Sequence, residues 1–189
     1  AGIPVRDARF VVKARSAVPD VSETPILANP GFEASSGGKI AGWPQQDIAG
    51  QFLMTDAEIK HSGKASLKIT ALDQLPKEAR GQVRLGQALK VKPFHSYVFS
   101  VWIRSENLQA EGEDYVWLFS GNRQRRHSYT NLRVAENQDW THHSIVFNSL
   151  EADTIDFSVG VSDAKRGTIW FDDVAVKPAG LTYLVRRPI

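Results

Sequence analysis

The stretch "TIDFSVGVS", residues 154–162, sets Ile155, Phe157, Val159 and Val161 against a second set made only of polar residues and glycine. Side chains of an extended chain alternate between two faces, so this segment is a strand with one face to bury and one face for water. The same period returns along the chain. "ASLKIT" alternates Ala65, Leu67 and Ile69 with Ser66, Lys68 and Thr70. Val83, Leu85, Leu89 and Val91 follow, with a bulge or bend expected at Gly86 and a stop at Pro93. "YVFSVWIRS" puts Tyr97, Phe99, Val101 and Ile103 on one face, "DYVWLFS" is apolar on both, "HHSIVFNS" follows Trp140, and "GTIWFDDVAV" closes the series. Helix-like text is confined to "LPKEARG" at 75–81, and "SENLQAEGED" at 105–114 reads as a loop. Many short strands punctuated by turns predict an all-β antiparallel sandwich of two sheets, a jelly roll.

At 189 residues a single domain buries roughly 70% of its unfolded surface and needs no staples, which suits a chain without cysteine. That absence does not fix the compartment. Twenty-three basic residues against 21 acidic ones give a net charge of +2, which excludes a general polyanion binder and confines any electrostatic function to a local patch. No apolar run approaches the roughly 18 to 20 residues that span a bilayer, and "AGIPVRDARF" lacks a signal peptide's apolar segment. The chain is expected to be soluble, intracellular or already trimmed. Residues 1–25 read as an N-terminal extension or linker with an edge strand in "ARFVVKARSAV", 26–178 as the sandwich, and 179–189 as a C-terminal extension or the start of a linker.

Taken in order, "NPGFE", a "GW" about ten residues on, "HSGKASLKI", "YVFSVWIRS", "WTHHSIVF" and "GTIWFDDVAV" resemble the jelly-roll carbohydrate-binding modules of family 4/9/22 type. The resemblance covers roughly residues 26–178. It implies a module without chemistry of its own, part of a secreted, extracellular or periplasmic glycan-degrading protein, which holds a catalytic domain of the same or a partner chain near a polysaccharide or oligosaccharide. It also implies a structural Ca²⁺, held by Glu33, the carbonyls of Gly31 and Lys64, and Asp172. Calcium takes 6 to 8 hard oxygen ligands, so a mixture of carboxylates and carbonyls is suitable. Members often carry another acidic residue before the glycine of that turn, where this chain has His61 and Ser62. The alternative is a pair of turn carboxylates that accept backbone hydrogen bonds without a metal.

A sugar offers an apolar ring face and a rim of hydroxyls, so its sites combine aromatic platforms with planar hydrogen-bonding groups. The alternation in "YVFSVWIRS" turns Trp102 and Arg104 away from the core. In "DYVWLFS", Tyr115, Trp117 and Phe119 share one face and Val116 and Leu118 the other, which assigns the aromatic set to the cleft; the opposing reading buries both faces. "GNRQRRH" adds Arg123, Arg125, Arg126 and His127, and an Arg fork suits carboxylate or sulfate, so an acidic polysaccharide is the sharper version of the reading. The bland version is a solvated loop. Trp43 and Trp140 read as packing residues.

No nucleophile elbow, His-Glu-x-x-His helix or phosphate loop is present, and His142 and His143, adjacent on a strand, point apart. Nucleic-acid binding lacks a motif as well as charge. Two alternatives to a binding module remain. One is a non-binding spacer domain; the other is a jelly-roll polysaccharide lyase that uses Tyr129 beside Arg125 and His127.

Overall fold

A computed structural model describes residues 24–79, 82–110, 115–122 and 125–179. The expected N-terminal edge strand, the last segment beyond Ala179 and Arg123 lie outside the described residues. Twelve strands form among the described ones. Three are two-residue pieces, β1 (Ser35–Ser36), β2 (Lys39–Ile40) and β3 (Gln45–Gln46). The others are β4 (Leu53–Asp56), β5 (Ser66–Ile69), β6 (Val83–Lys90), β7 (Ser96–Ala110), β8 (Val116–Gly121), β9 (Arg126–Leu132), β10 (Gln138–Asn148), β11 (Thr154–Val161) and β12 (Ala164–Pro178).

Antiparallel pairing gives two five-stranded sheets, the first in the order β10-β7-β12-β5-β4 and the second β3-β6-β11-β8-β9. The apolar faces read from the sequence are the ones that meet. Tyr97, Phe99, Val101 and Ile103 of β7 and Ile155, Phe157, Val159 and Val161 of β11 are all at 0% exposure. Aromatic rings tie the two layers together: Phe99 meets Phe157 edge-on at 5.3 Å, and Phe147 of the first sheet reaches the same ring at 5.2 Å.

Four details differ from the sequence reading. The segment 105–110 is the end of β7 rather than a loop. Its period is broken by Asn107 at φ 49, opposite Gly167 at φ 100, yet Ser105 and Leu108 on either side are buried. "RHSYTNL" is an edge strand, β9, whose polar composition hides it. Among the described residues, 3-10 turns at Leu72–Gln74 and Lys77–Ala79 stand in the region of the expected helix. Gly86 marks no bulge, since β6 and β11 stay in register through it; a Cβ there would come within 2.8 Å of Gln45 Oε1 and 3.0 Å of the Phe157 carbonyl.

The outward face of the first sheet carries its own buried cluster. Trp170 sits at 2% exposure between Arg104 and Lys68, its cross-strand neighbours. Its Nε1–H donates to Asp56 Oδ2 at 3.0 Å, and Lys68 Nζ reaches the same oxygen at 3.1 Å. Burial alone would raise the Asp56 pKa. The hydrogen bonds from Trp170, the Glu58 and Ile59 amides and Lys68 outweigh it and pull the carboxyl down to about 2.

Candidate functional site

Three cross-strand rows make up the outward face of the second sheet. Arg84, Gly160, Trp117 and Asn131 form the first; Gln45, Gly86, Ser158, Phe119 and Tyr129 the second; Ala88, Asp156, Gly121 and Arg126 the third. Glycine or serine near the middle of each row leaves a trough. A Cβ on Gly160 would lie 2.6 Å from Trp117 Cζ2, and one on Gly121 would lie 2.7 Å from Phe119 Cζ, so both rings lie down across positions that lack side chains. The result is a groove of about 550 Å³, a size suited to a small ligand.

Val116 and Leu118 are core residues at 0% exposure, while Trp117 and Phe119 line the groove. Tyr115 does not join them. It precedes β8, packs against the core, and donates its hydroxyl to the Val134 carbonyl at 2.7 Å; burial, with Glu136 nearby, raises its pKa. Its place beside Trp117 is taken by Tyr129, stacked at 5.7 Å and 26° and 39% exposed. The Arg126 guanidinium lies over the Tyr129 ring at 4.9 Å.

A register shift where Gly121 pairs with Arg126 decides which residues of the basic stretch reach this groove. The shift turns Arg126 onto the groove face, over Tyr129. His127 is turned away, with its Nδ1 2.9 Å from the Asn148 carbonyl of the other sheet. Arg125 pairs with Glu151 at 3.2 Å, and both Arg125 and His127 line a separate polar cavity of about 350 Å³. The grouping of Tyr129 with Arg125 and His127 is therefore not assembled. Arg84 lies in the groove and pairs with Asp47 at 3.3 Å.

Trp102 and Arg104 face outward as the alternation requires, but on the first sheet, so no single cleft contains them together with Trp117. Trp102 is covered by His61, stacked at 4.0 Å and 15°. Arg104 is held by Glu106 at 2.7 Å and Asp139 at 3.3 Å. Trp102 forms the floor beside a carboxylate turn, for its cross-strand partner on β12 is Asp172.

The residues of that turn are brought together. Phe32, at φ 59, packs on Trp43 with centroids 5.3 Å apart, and the Val174 amide donates to the Pro30 carbonyl, which docks "NPGFE" on β12. Asp172, at 0% exposure, accepts from the amides of His61, Ser62 and Asp173 at 2.7 to 3.1 Å. Burial nevertheless pushes its pKa up against those three hydrogen bonds, and no cationic side chain pairs with it among the described residues. Glu33 Oε2 accepts from the Lys64 amide at 2.6 Å. Its Oε1 and Asp172 Oδ1 lie 3.3 and 3.8 Å from where a Cβ on Gly31 would stand, so two carboxylates converge on a position kept empty by glycine. Among the described residues no three His, Cys, Asp or Glu side chains form a metal cluster. The two converging carboxylates are hard oxygen donors, which fit a calcium ion in kind.

The model of the carbohydrate-binding domains of type 4/9, described as "Carbohydrate binding domain", matches residues 24–165. The chain belongs to this family. Modules of this family are non-catalytic carbohydrate binders. No curated protein matches the chain. Among solved structures, TmCBM61 in complex with β-1,4-galactotriose is 16% identical, with a TM-score of 0.56 over 80% of this chain and 97% of that one. The CBM22-1 xylan-binding domain of Xyn10C from Paenibacillus barcinonensis is also 16% identical, at 0.50 over 80% and 93%. A cyclase from Fischerella sp. TAU, in complex with 4-(1H-indol-3-yl)butan-2-one, is 13% identical at 0.62 over 85% and 99%. At these identities the likeness shows the fold alone, and the fold serves binders and an enzyme alike.

Sequence reasoning missed Gln45, Arg84 and Asp156 as groove residues; it named Tyr129 only for a lyase, and it had Arg126 in the basic stretch suited to an acidic sugar. Only cross-strand pairing gathers them. The one available signal was the period of "HSYTN", which sets Tyr129 and Asn131 on one face.

Proposed function

We propose that this module binds a polysaccharide along the groove of the second sheet and keeps an attached or partner catalytic domain close to it. The supporting observation is the Trp117–Tyr129 stack beside a floor of glycine and serine, flanked by planar polar groups from Gln45, Arg84 and Arg126. An aromatic surface matches a sugar's ring face, and amide and guanidinium groups match its hydroxyl rim. An acidic polymer is the finer version of this reading, supported by Arg126, whose guanidinium lies in the groove with no carboxylate partner among the described residues. A polymeric ligand of this kind is met outside the cytoplasm, which supports an extracellular or periplasmic place of action. Affinity electrophoresis through gels holding single neutral or acidic polysaccharides tests the reading. At least one polymer should retard the protein; free migration through all of them would leave a spacer domain.

The same proposal includes a structural Ca²⁺ held by the Glu33 and Asp172 carboxylates and the carbonyls of Gly31 and Lys64. The ion would supply the positive charge that Asp172 lacks and tie the first strand region to β12. A ligand bound only by the folded state stabilises it, by about 2.7 kcal/mol at a hundredfold excess over Kd. Thermal melts with calcium and with chelator should then differ by roughly 5 to 10 °C. Identical melting temperatures would mean that the two carboxylates work as turn caps without a metal.

A further inference from the structure

The groove's charges are arranged along its length and are not spread evenly. At one end Arg84 is neutralised by Asp47 at 3.3 Å. At the other, Arg126 caps the aromatic stack and has no carboxylate partner among the described residues. Between them lies Asp156, also without an ion pair among the described residues, on the far side of Gly121 from Arg126. Two strand spacings put the Cα atoms of the two residues roughly 10 Å apart along the row.

We infer that the groove takes a mainly neutral glycan carrying an isolated anionic group, a carboxylate or a sulfate ester, and that Arg126 reads that group. The inference rests on the groove being the sugar site. A guanidinium resting 4.9 Å over the Tyr129 ring is placed at the groove before the ligand arrives, and its N–H edge matches two oxygens of an anion. The same contact adds a charge beside the Tyr129 ring, which stays 39% exposed, so the tip of the stack presents charge as well as apolar surface. Asp156 works in the opposite sense: it accepts hydrogen bonds from neutral hydroxyls and repels a second anion one step along the groove. A chain with an acid on every sugar would press its next charge toward Asp156. A sparsely charged chain satisfies both groups.

A glycan array carrying neutral, singly carboxylated, singly sulfated and fully uronate oligosaccharides on matched backbones tests this with the whole protein. Singly anionic members should bind at least tenfold more tightly than their neutral and fully acidic counterparts, with the carboxylate and sulfate members separating the two sources of charge. Arg126→Gln should reduce that preference about tenfold, while Arg125→Gln, which alters the pair with Glu151 outside the groove, should keep it. Equal binding of neutral and singly charged members, stronger binding of the fully acidic ones, or an intact preference in Arg126→Gln would each overturn the inference and leave the sugar site standing. Failure of the protein to bind any member would overturn the inference and the site together.

Discussion

Trp170→Ala is expected to cost about 3 to 5 kcal/mol and to lower the melting temperature by on the order of 10 °C. The indole is on the outward face of its sheet, where a substitution is ordinarily cheap, yet only 2% of it is exposed. Lys68 and Arg104 cover its two sides, with the Lys68 ammonium 5.6 Å and the Arg104 guanidinium 6.0 Å from the ring centroid. Removing it opens a cavity and strips Asp56 of one of the bonds that hold its carboxyl at about 2. The acid limb of the stability curve should change with it. Because the folded-state value is depressed below the ordinary 3.8, the contribution of Asp56 is complete above about pH 4 and is lost as the pH falls toward 2. That loss amounts to about 2 kcal/mol in the wild type. Melts at pH 7 and pH 3 should show a smaller acid-induced drop for Trp170→Ala than for the wild type. A variant as stable as the wild type would mean that the cluster packs without contributing.

The second large effect concerns binding. Tyr129→Ala should weaken polysaccharide binding at least tenfold, about 1.4 kcal/mol or more, with the melting temperature nearly unchanged. Tyr129 stands on an edge strand at 39% exposure, so little core depends on it. Its loss removes one ring of the stack and the surface on which Arg126 lies. Trp117 is the less informative position, because it is 7% exposed and its ring lies where a Cβ on Gly160 would stand, so its removal disturbs packing as well. Isothermal titration with the polymer selected by electrophoresis measures the change. Unaltered affinity in Tyr129→Ala would remove the stack from the site.

Period two made the inward faces of β5, β6, β7 and β11 legible, because one-sided burial leaves an apolar residue at every second position. It also gave the outward direction of Trp102 and Arg104. What it does not contain is which sheet a strand joins. β7 pairs with β10 and β12, and β8 with β9 and β11, so residues that look equivalent along the chain end on opposite sides of the sandwich. β9 was illegible for another reason: an edge strand with water on one face and the sandwich rim on the other has little apolar alternation to display. The exchange of Arg126 for His127 follows from a single register shift, and nothing in "RQRRH" announces it. The carboxylate turn was legible only through the resemblance, since Glu33, Lys64 and Asp172 are far apart in sequence and two loops bring the first two to Asp172 on β12.

The five tryptophans offer the most direct test of where the sugar binds. Each indole N–H gives its own signal in a proton–nitrogen correlation spectrum, so titration with a fragment of the retarding polysaccharide reports on both faces of the sandwich at once. The Trp117 signal, in the groove, should move with saturation, while those of Trp102, Trp140 and Trp170 on the first sheet and of buried Trp43 stay in place. Movement of Trp102 and Trp140 with Trp117 unchanged would put the ligand on the opposite sheet and contradict the account.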